Sequence, residues 1–234
     1  MSLGCSVFIT ATDTDAGKSY LTASLSRALL ARGVDAFALK PVSCGYEAGE
    51  MNPDIASLLD AQDMGSGLAD EINLYHFEAY AAPMFAAQAE GESVDVEELA
   101  DWCDRRSQQH DLTLIEGVGG LMVPLAEGVL VSDWLQLMPH AKVLLVVRAR
   151  LGGINQALLS IDKLQRMGRG PDWVVVNAAD EHGGVWLADH CAAIAPYLGS
   201  ETCLYEMPWL PGQDDAEAFL SESELFAVLE AMVL

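Results

Sequence analysis

The sequence predicts a three-layer α/β fold: a mostly parallel sheet with helices on both faces. Three observations carry this. Short apolar runs alternate with longer stretches of helical pattern along nearly the whole chain. The runs are continuously apolar rather than alternating, as strands covered on both faces are. Polar and glycine-bearing segments fall repeatedly just after the strand ends, where open α/β sheets bind their ligands. No repeat, low-complexity tract or long linker interrupts the pattern, so residues 1–234 are expected to form a single domain.

The elements follow in order. Residues 5–10, Cys-Ser-Val-Phe-Ile-Thr, read as the first strand, and 20–31 as an amphipathic helix. Residues 36–40 form the second strand, stopped by Lys40-Pro41, whose ring fixes the chain just beyond it. Asn52-Pro53 opens a helix over 53–60, with Asn as N-cap and Pro at the first helical position. A helix over 96–109 leads to the third strand, 112–116, which runs into Glu116-Gly117-Val118-Gly119-Gly120, whose glycines either let backbone approach a phosphate or substrate or form a flexible turn. The fourth strand, 143–147, gives way to Arg148, to Leu151-Gly152-Gly153-Ile154-Asn155 and to a helix over 155–166. The fifth strand, 173–177, ends at Asn177, and a helix over 186–197 follows. The sixth, 203–206, runs toward Pro208-Trp209 before a last helix over 222–232.

Composition narrows the function classes. The longest apolar runs are strand-sized, too short to cross a bilayer, and no basic-then-apolar leader precedes the first strand. Five cysteines at 5, 44, 103, 191 and 203 form no C-x-x-C pair, which fits reduced thiols and a cytoplasmic protein rather than a disulfide scaffold or structural zinc. A net charge of −23 speaks against a nucleic-acid or anionic-membrane surface, since both rely on clustered Lys and Arg. It also makes the four lysines, at 18, 40, 142 and 163, conspicuous. An acidic protein that binds a polyanion must build its positive potential locally, which singles out Lys18 and Lys40.

The strongest motif is Gly17-Lys18-Ser19, reached directly from the first strand and followed by a helix. Backbone N–H groups of such a loop wrap a triphosphate, the lysine meets the β/γ-phosphates, and the serine hydroxyl ligates Mg²⁺. The helix behind it aims its positive end at the same anion. The usual spacing asks for glycine at position 12, where this chain has Thr12. Glu116, at a strand end before three glycines, reads as a Mg²⁺ carboxylate or as an exposed residue in a flexible turn. Asp54, in the first turn of its helix, is a second metal carboxylate or a dipole-compensating residue. Lys40 is an active-site cation or a snorkelling surface residue. Asn177 either hydrogen-bonds a base edge or simply ends its strand. The five histidines show no metal spacing.

Taken together, Thr12-Asp13-Thr14-Asp15-Ala16-Gly17-Lys18-Ser19, Lys40-Pro41-Val42, Asn52-Pro53-Asp54, Glu116-Gly117-Val118-Gly119-Gly120 with Val123-Pro124-Leu125, and Leu151-Gly152-Gly153-Ile154-Asn155 resemble the dethiobiotin synthetase family. The resemblance runs in order from residue 5 to about 215. It implies a P-loop NTPase-like fold and an ATP-dependent carboxylase of biotin synthesis. The implied substrates are 7,8-diaminopelargonic acid (7,8-diaminononanoate), CO₂ and ATP with Mg²⁺; the products are dethiobiotin, ADP and phosphate. By position, Asp15, Ala16, Gly17, Lys18, Ser19 and Tyr20 would cover the phosphates, with Gly117, Val118 and Gly119 also on the nucleotide. Ser19, Asp54 and Glu116 would surround Mg²⁺. Lys40 would steady a carbamate and the transferring phosphoryl group, with Thr14 and Cys44 on the substrate side. Asn177, Pro208, Trp209 and Leu210 would cradle adenine, with Asp215 near the ribose. The family implies a homodimer in which Gly152, Gly153, Ile154 and Asn155 hold the substrate's distal carboxylate from the neighbouring chain.

Three positions depart from the family pattern. Ala11 stands where glycine is usual, Cys44 where a substrate-contacting serine is usual, and Gln156 where histidine is usual. Two other readings stand beside the synthetase. A switch or partitioning ATPase with a deviant phosphate loop would use the same sheet, but such loops carry an early lysine where this chain has Thr12 and Asp13. A degenerate, purely nucleotide-binding member is motivated by Ala11 and Cys44 and opposed by Lys18, Ser19, Lys40, Asp54 and Glu116.

Overall fold

The computed structural model describes residues 4–46 and 50–233. In chain order its first half comprises β1 (Cys5–Ala11), α1 (Lys18–Ala31), β2 (Ala36–Leu39), β3 (Val42–Cys44), α2 (Pro53–Ala61), α3 (Ala69–Ile72), β4 (Tyr75–Phe77), α4 (Pro83–Ala89) and α5 (Val96–Ser107). The second half comprises β5 (Leu112–Gly120), β6 (Pro124–Ala126), β7 (Val129–Leu130), α6 (Val131–Leu137), β8 (Lys142–Arg148), α7 (Gly153–Arg166), β9 (Trp173–Asn177), α8 (Leu187–Ile194), β10 (Cys203–Met207), α9 (Gln213–Ser221) and α10 (Glu224–Ala231).

Six strands form one sheet in the order β10-β9-β8-β1-β5-β2, and every pairing in it is parallel. The chain leaves β1 toward β2 and β5 on one side and later returns to β8, β9 and β10 on the other. The carboxyl end of β1 is therefore the topological switch point, the place where such sheets open a crevice. Both faces are covered. Along β8, Leu145 and Val147 pack with Val174, Val176, Ala157, Ile161, Leu187 and Ile194 under α7 and α8. The intervening Leu144 and Val146 join the larger core with Phe8, Leu21, Leu25 and Trp134. Strand alternation thus feeds two apolar layers from one continuous run.

Local chemistry sets several boundaries. Asn52 Oδ1 accepts from the Asp54 N–H at 2.9 Å and Pro53 opens α2, as the Asn-Pro pair predicts. Asp95 accepts from the N–H groups of Glu97 and Glu98, each at 3.0 Å, and starts α5. Three expectations need correction. The third strand, expected to end at residue 116, continues through Gly120, because Gly120 lets Ala11 approach: a Cβ there would lie 2.9 Å from the Ala11 carbonyl oxygen. The helix expected over 186–197 is α-helical only across Leu187–Ile194, with tighter turns before it and around Pro196. The last helix begins at Glu224, where Ser223 caps the Phe226 N–H at 3.1 Å, and α9 precedes it as a separate helix.

Candidate active site

The loop between β1 and α1 is held from three sides. The Thr12 N–H donates to the Val146 carbonyl at 3.0 Å, and the Arg148 N–H donates to the Thr12 hydroxyl at 3.4 Å. A threonine at this position therefore joins the loop to β8, in place of the glycine the usual spacing asks for. The Asp13 carboxylate accepts from the Thr14 N–H at 2.8 Å and caps the single turn Thr14–Ala16. Gly17 then takes φ +90°, in the left-handed region. It also lies against Asn177, whose Nδ2 would be 2.2 Å from any Cβ built there. That same Nδ2 donates to the Ala16 carbonyl at 2.8 Å. Asn177, at the carboxyl end of β9 and buried, thus ties the neighbouring strand to the loop.

Two lysines meet behind this loop. Lys18, the first residue of α1, is buried and folds back so that Nζ donates to the Asp13 carbonyl at 3.3 Å and the Thr14 carbonyl at 3.5 Å. Burial, and then repulsion from Lys40, push its pKa down to about 8 against the pull of Glu116, Asp54 and Asp13. Lys40 emerges from β2 with its backbone clamped: its N–H donates to the Ile72 carbonyl at 2.9 Å, and Asn73 Nδ2 donates to the Lys40 carbonyl at 2.6 Å. Its ammonium donates to Glu116 Oε1 and pairs with Asp54 Oδ2 at 3.1 Å. Burial alone would lower the Lys40 pKa, but Glu116 and Asp54 outweigh it and hold the group above its ordinary value. For Asp54 burial works upward, yet the Lys40 ammonium and hydrogen bonds from Ser19 and Lys40 keep the carboxyl below its usual range.

Glu116 corrects the reading of a strand-end glutamate in an exposed turn. It is 0% exposed, within β5, and Lys40 is likewise buried rather than snorkelling. Besides Lys40, Glu116 Oε1 accepts from the Ser19 hydroxyl at 2.7 Å, while Oε2 is buried with no hydrogen-bond partner among the described residues. Its burial is explained by β5 running on past it to pair with β1 through Gly120.

A cavity of about 500 Å³ opens over these groups. Thr14, Asp15, Lys18, Ser19, Lys40, Cys44, Asp54, Val118 and Gly119 all line it. Gly117 lies beneath, where a Cβ would be 3.3 Å from the Ile9 carbonyl oxygen. Burial pushes the Cys44 thiol up to about 11, so this side chain is a neutral thiol in the wall. Pro208, Trp209, Leu210 and Asp215 do not line this cavity; they stand beside α1, where the Tyr20 hydroxyl reaches the Leu210 carbonyl at 2.5 Å. Gly152, Gly153, Ile154 and Asn155 do not line it either. Gly152 and Asn155 are exposed at the start of α7, next to Leu151, which is 82% exposed.

Sequence reasoning missed several residues. Tyr80, Ala81, Ala82 and Pro83 form a further cavity wall, and the Tyr80 ring lies close to Gly45, where a Cβ would meet ring atom Cδ2 at 2.4 Å. Asn73, which clamps Lys40, is equally unmarked locally. Asp13 Oδ2 accepts from Arg150 Nη2 at 2.6 Å and from Gln156 Nε2 at 3.4 Å, linking the loop to the start of α7. Gln156 was visible as a departure from pattern, but its partner was not.

A glycine-lysine-serine loop at the switch point of a parallel sheet, with a buried carboxylate on the serine, defines a P-loop nucleotide-binding protein of the three-layer α/β class. Consistent with that, a family model described as an AAA domain matches residues 6–216. The chain belongs to the dethiobiotin synthetase family. It is 36% identical over 227 residues to the ATP-dependent dethiobiotin synthetase BioD of Cellvibrio japonicus (strain Ueda107), covering 96% of this chain and 97% of that protein. To the protein of the same name from Anaeromyxobacter dehalogenans (strain 2CP-C) it is 34% identical over 205 residues, 88% of this chain and 90% of that protein. The fold is similar to that of a ParA family ATPase from Chlorobium tepidum TLS, with a TM-score of 0.54 over 97% of this chain and 98% of that one. At 14% identity that likeness extends to the fold alone.

Proposed function

We propose that this chain joins CO₂ to 7,8-diaminopelargonic acid and closes the ring to dethiobiotin, with cleavage of ATP to ADP and phosphate. The observation that carries this reading is the meeting of two buried lysines with Ser19 and Asp54 at one cavity beside the phosphate loop, with Glu116 buried behind them on Ser19 and Lys40. One substrate amine adds to CO₂ and loses a proton, giving a carbamate. A carbamate oxygen attacks the γ-phosphorus, ADP departs, and a carbamic–phosphoric anhydride forms. The second amine then attacks the carbonyl carbon, phosphate leaves, and the five-membered ring closes. Lys18 holds the β/γ-phosphate oxygens, and Lys40 balances charge on the carbamate and the phosphoryl group in transfer. Holding both amines and the phosphate in line supplies roughly 7–11 kcal/mol by positioning. No nucleophilic side chain is required.

The donor set fits Mg²⁺. Ser19, Asp54 and Glu116 offer the hard oxygens that this ion takes, and the unpartnered Oε2 of Glu116 leaves capacity for a further contact. When bound, the ion neutralises charge on the phosphate oxygens. Asn177 and residues 208–210 receive the adenine in this reading, with Asp215 toward the ribose. One domain carries the whole reaction.

The reading includes a homodimer. Gly152, Gly153, Ile154 and Asn155 lie off the cavity of their own chain, so a partner's copy is what brings them to a substrate carboxylate. Exposed Leu151, Leu159 and Met122 support an apolar interface there. No helix among the described residues is long and apolar enough to cross a membrane, and the free cysteines support a cytoplasmic, reduced setting. The test is phosphate release from ATP by purified protein. Release that requires both CO₂ and the diamine, with one phosphate per dethiobiotin, is expected; release indifferent to the diamine overturns the reading in favour of a switch ATPase.

A further inference from the structure

Tyr20 sits in the first turn of α1, one residue after Ser19. Its ring packs against the main core, and its hydroxyl shares one hydrogen between the carbonyl oxygens of Leu210 at 2.5 Å and Gly212 at 2.9 Å. Among the described residues no other side chain hydrogen-bonds to residues 208–212. That segment leaves β10 and turns into α9 at Gly212, which lies so close to Asp215 that a Cβ would stand 2.9 Å from Oδ2. One hydroxyl therefore ties a segment 190 residues away to the helix that carries Lys18 and Ser19.

We infer that Tyr20 is a positioning residue whose hydroxyl sets the span between the phosphate loop and the 208–212 segment, and so the fit of a nucleotide that must touch both. The inference rests on the nucleotide site proposed above. A nucleotide gripped at Gly17, Lys18 and Ser19 gains from residues 208–210 only if they already stand at the matching distance. A segment that must be ordered on binding costs affinity. Phenylalanine keeps the ring in the core and removes only the tether. The loss is then base-dependent: it falls on ATP and spares a ligand made of phosphates alone.

Calorimetric titration of wild type and Tyr20→Phe with ATP and with inorganic tripolyphosphate, alongside steady-state kinetics, tests this. The expected result is an ATP Kd and KM raised roughly 3- to 10-fold, the size of one lost hydrogen bond. Tripolyphosphate should bind both proteins equally, and the loss should fall on KM for ATP rather than on kcat. Unchanged ATP affinity, or an equal loss for both ligands, overturns the inference and leaves the nucleotide site standing. Wild type that fails to bind ATP overturns the nucleotide site itself, and the inference with it.

Discussion

Lys18 and Lys40 line one cavity yet differ in what they hold. Lys18 rests on two loop carbonyls, whereas Lys40 is locked between carboxylates. On the proposed role of Lys18, its charge meets the phosphates before and during transfer, so Lys18→Ala should lose nucleotide affinity as well as turnover. Lys40→Ala should lose chiefly turnover. ATP binding and kcat for both variants decide it, and wild-type turnover without Lys40 would remove that residue from the mechanism. Asp13 supplies a signed pH effect. The Thr14 amide, with Gln156 and Arg150, outweighs burial and holds its carboxyl below the ordinary value. A depressed carboxyl stabilises the fold above its unfolded pKa near 4, and the contribution is lost as pH falls through the folded value. Asp13→Asn should thus be less stable than wild type at pH 7 by less than about 1 kcal/mol, since the pair is partly exposed. The gap should shrink as pH falls below the ordinary carboxylate value and close below the depressed folded-state value; a gap of constant size would show that the charge is not its source. Lys18 and Ser19 were legible as loop residues because a Gly-Lys-Ser stretch between a strand and a helix has one dominant chemistry, whereas Glu116 and Asp54 each kept two readings until the fold brought both to Lys40. Asn73 and Tyr80 were not legible, because an asparagine or tyrosine in a connecting segment carries no local mark of what it will touch.

At the level of elements, β5 and α2 bring their carboxylates to Lys40 with different burial. Glu116 lies inside a strand paired on both sides and is fully buried, while the Asp54 side chain at the start of α2 is 42% exposed. Both Glu116→Gln and Asp54→Asn should raise the Mg²⁺ concentration for half-maximal rate, since a neutral amide is a poorer ligand for a hard cation. Only Glu116→Gln should also cost roughly 1–3 kcal/mol of stability, because it weakens a buried charged hydrogen bond to Lys40. Metal titration at saturating ATP and chemical denaturation separate the two effects. An unchanged Mg²⁺ requirement in both variants would sink the metal assignment. The strand boundary at Glu116 was misread for a physical reason. Glycines have strong turn propensity, but here they serve close approach between β5 and β1, which no local propensity encodes. The four-residue α3 and the short β3, β4, β6 and β7 escaped for a related reason: they are held by pairing and packing rather than by periodicity.

For the whole molecule, the decisive question is whether the site is complete in one chain. The start of α7 lies off the cavity of its own chain; if, as proposed, it serves a partner's cavity in a homodimer, Asn155→Ala should weaken apparent affinity for the diamine and leave ATP binding alone. Mixing Asn155→Ala with Lys18→Ala chains should restore activity, as one hybrid site receives an intact residue from each subunit. Two separately defective variants that regain nothing after verified subunit exchange would contradict a shared site; a local capping role for Asn155 predicts instead a stability loss of roughly 1 kcal/mol and no rescue. The sequence by itself determined the alternation of strands and helices, the phosphate loop and the identity of its charged residues, because these rest on contacts within a turn or two of chain. Only the tertiary structure decided the strand order β10-β9-β8-β1-β5-β2, the burial of Lys40 on Glu116 and the reach of Tyr20 to Leu210. Each of these joins residues far apart in the chain, and which of many such pairs forms is settled by how two apolar layers close over one sheet.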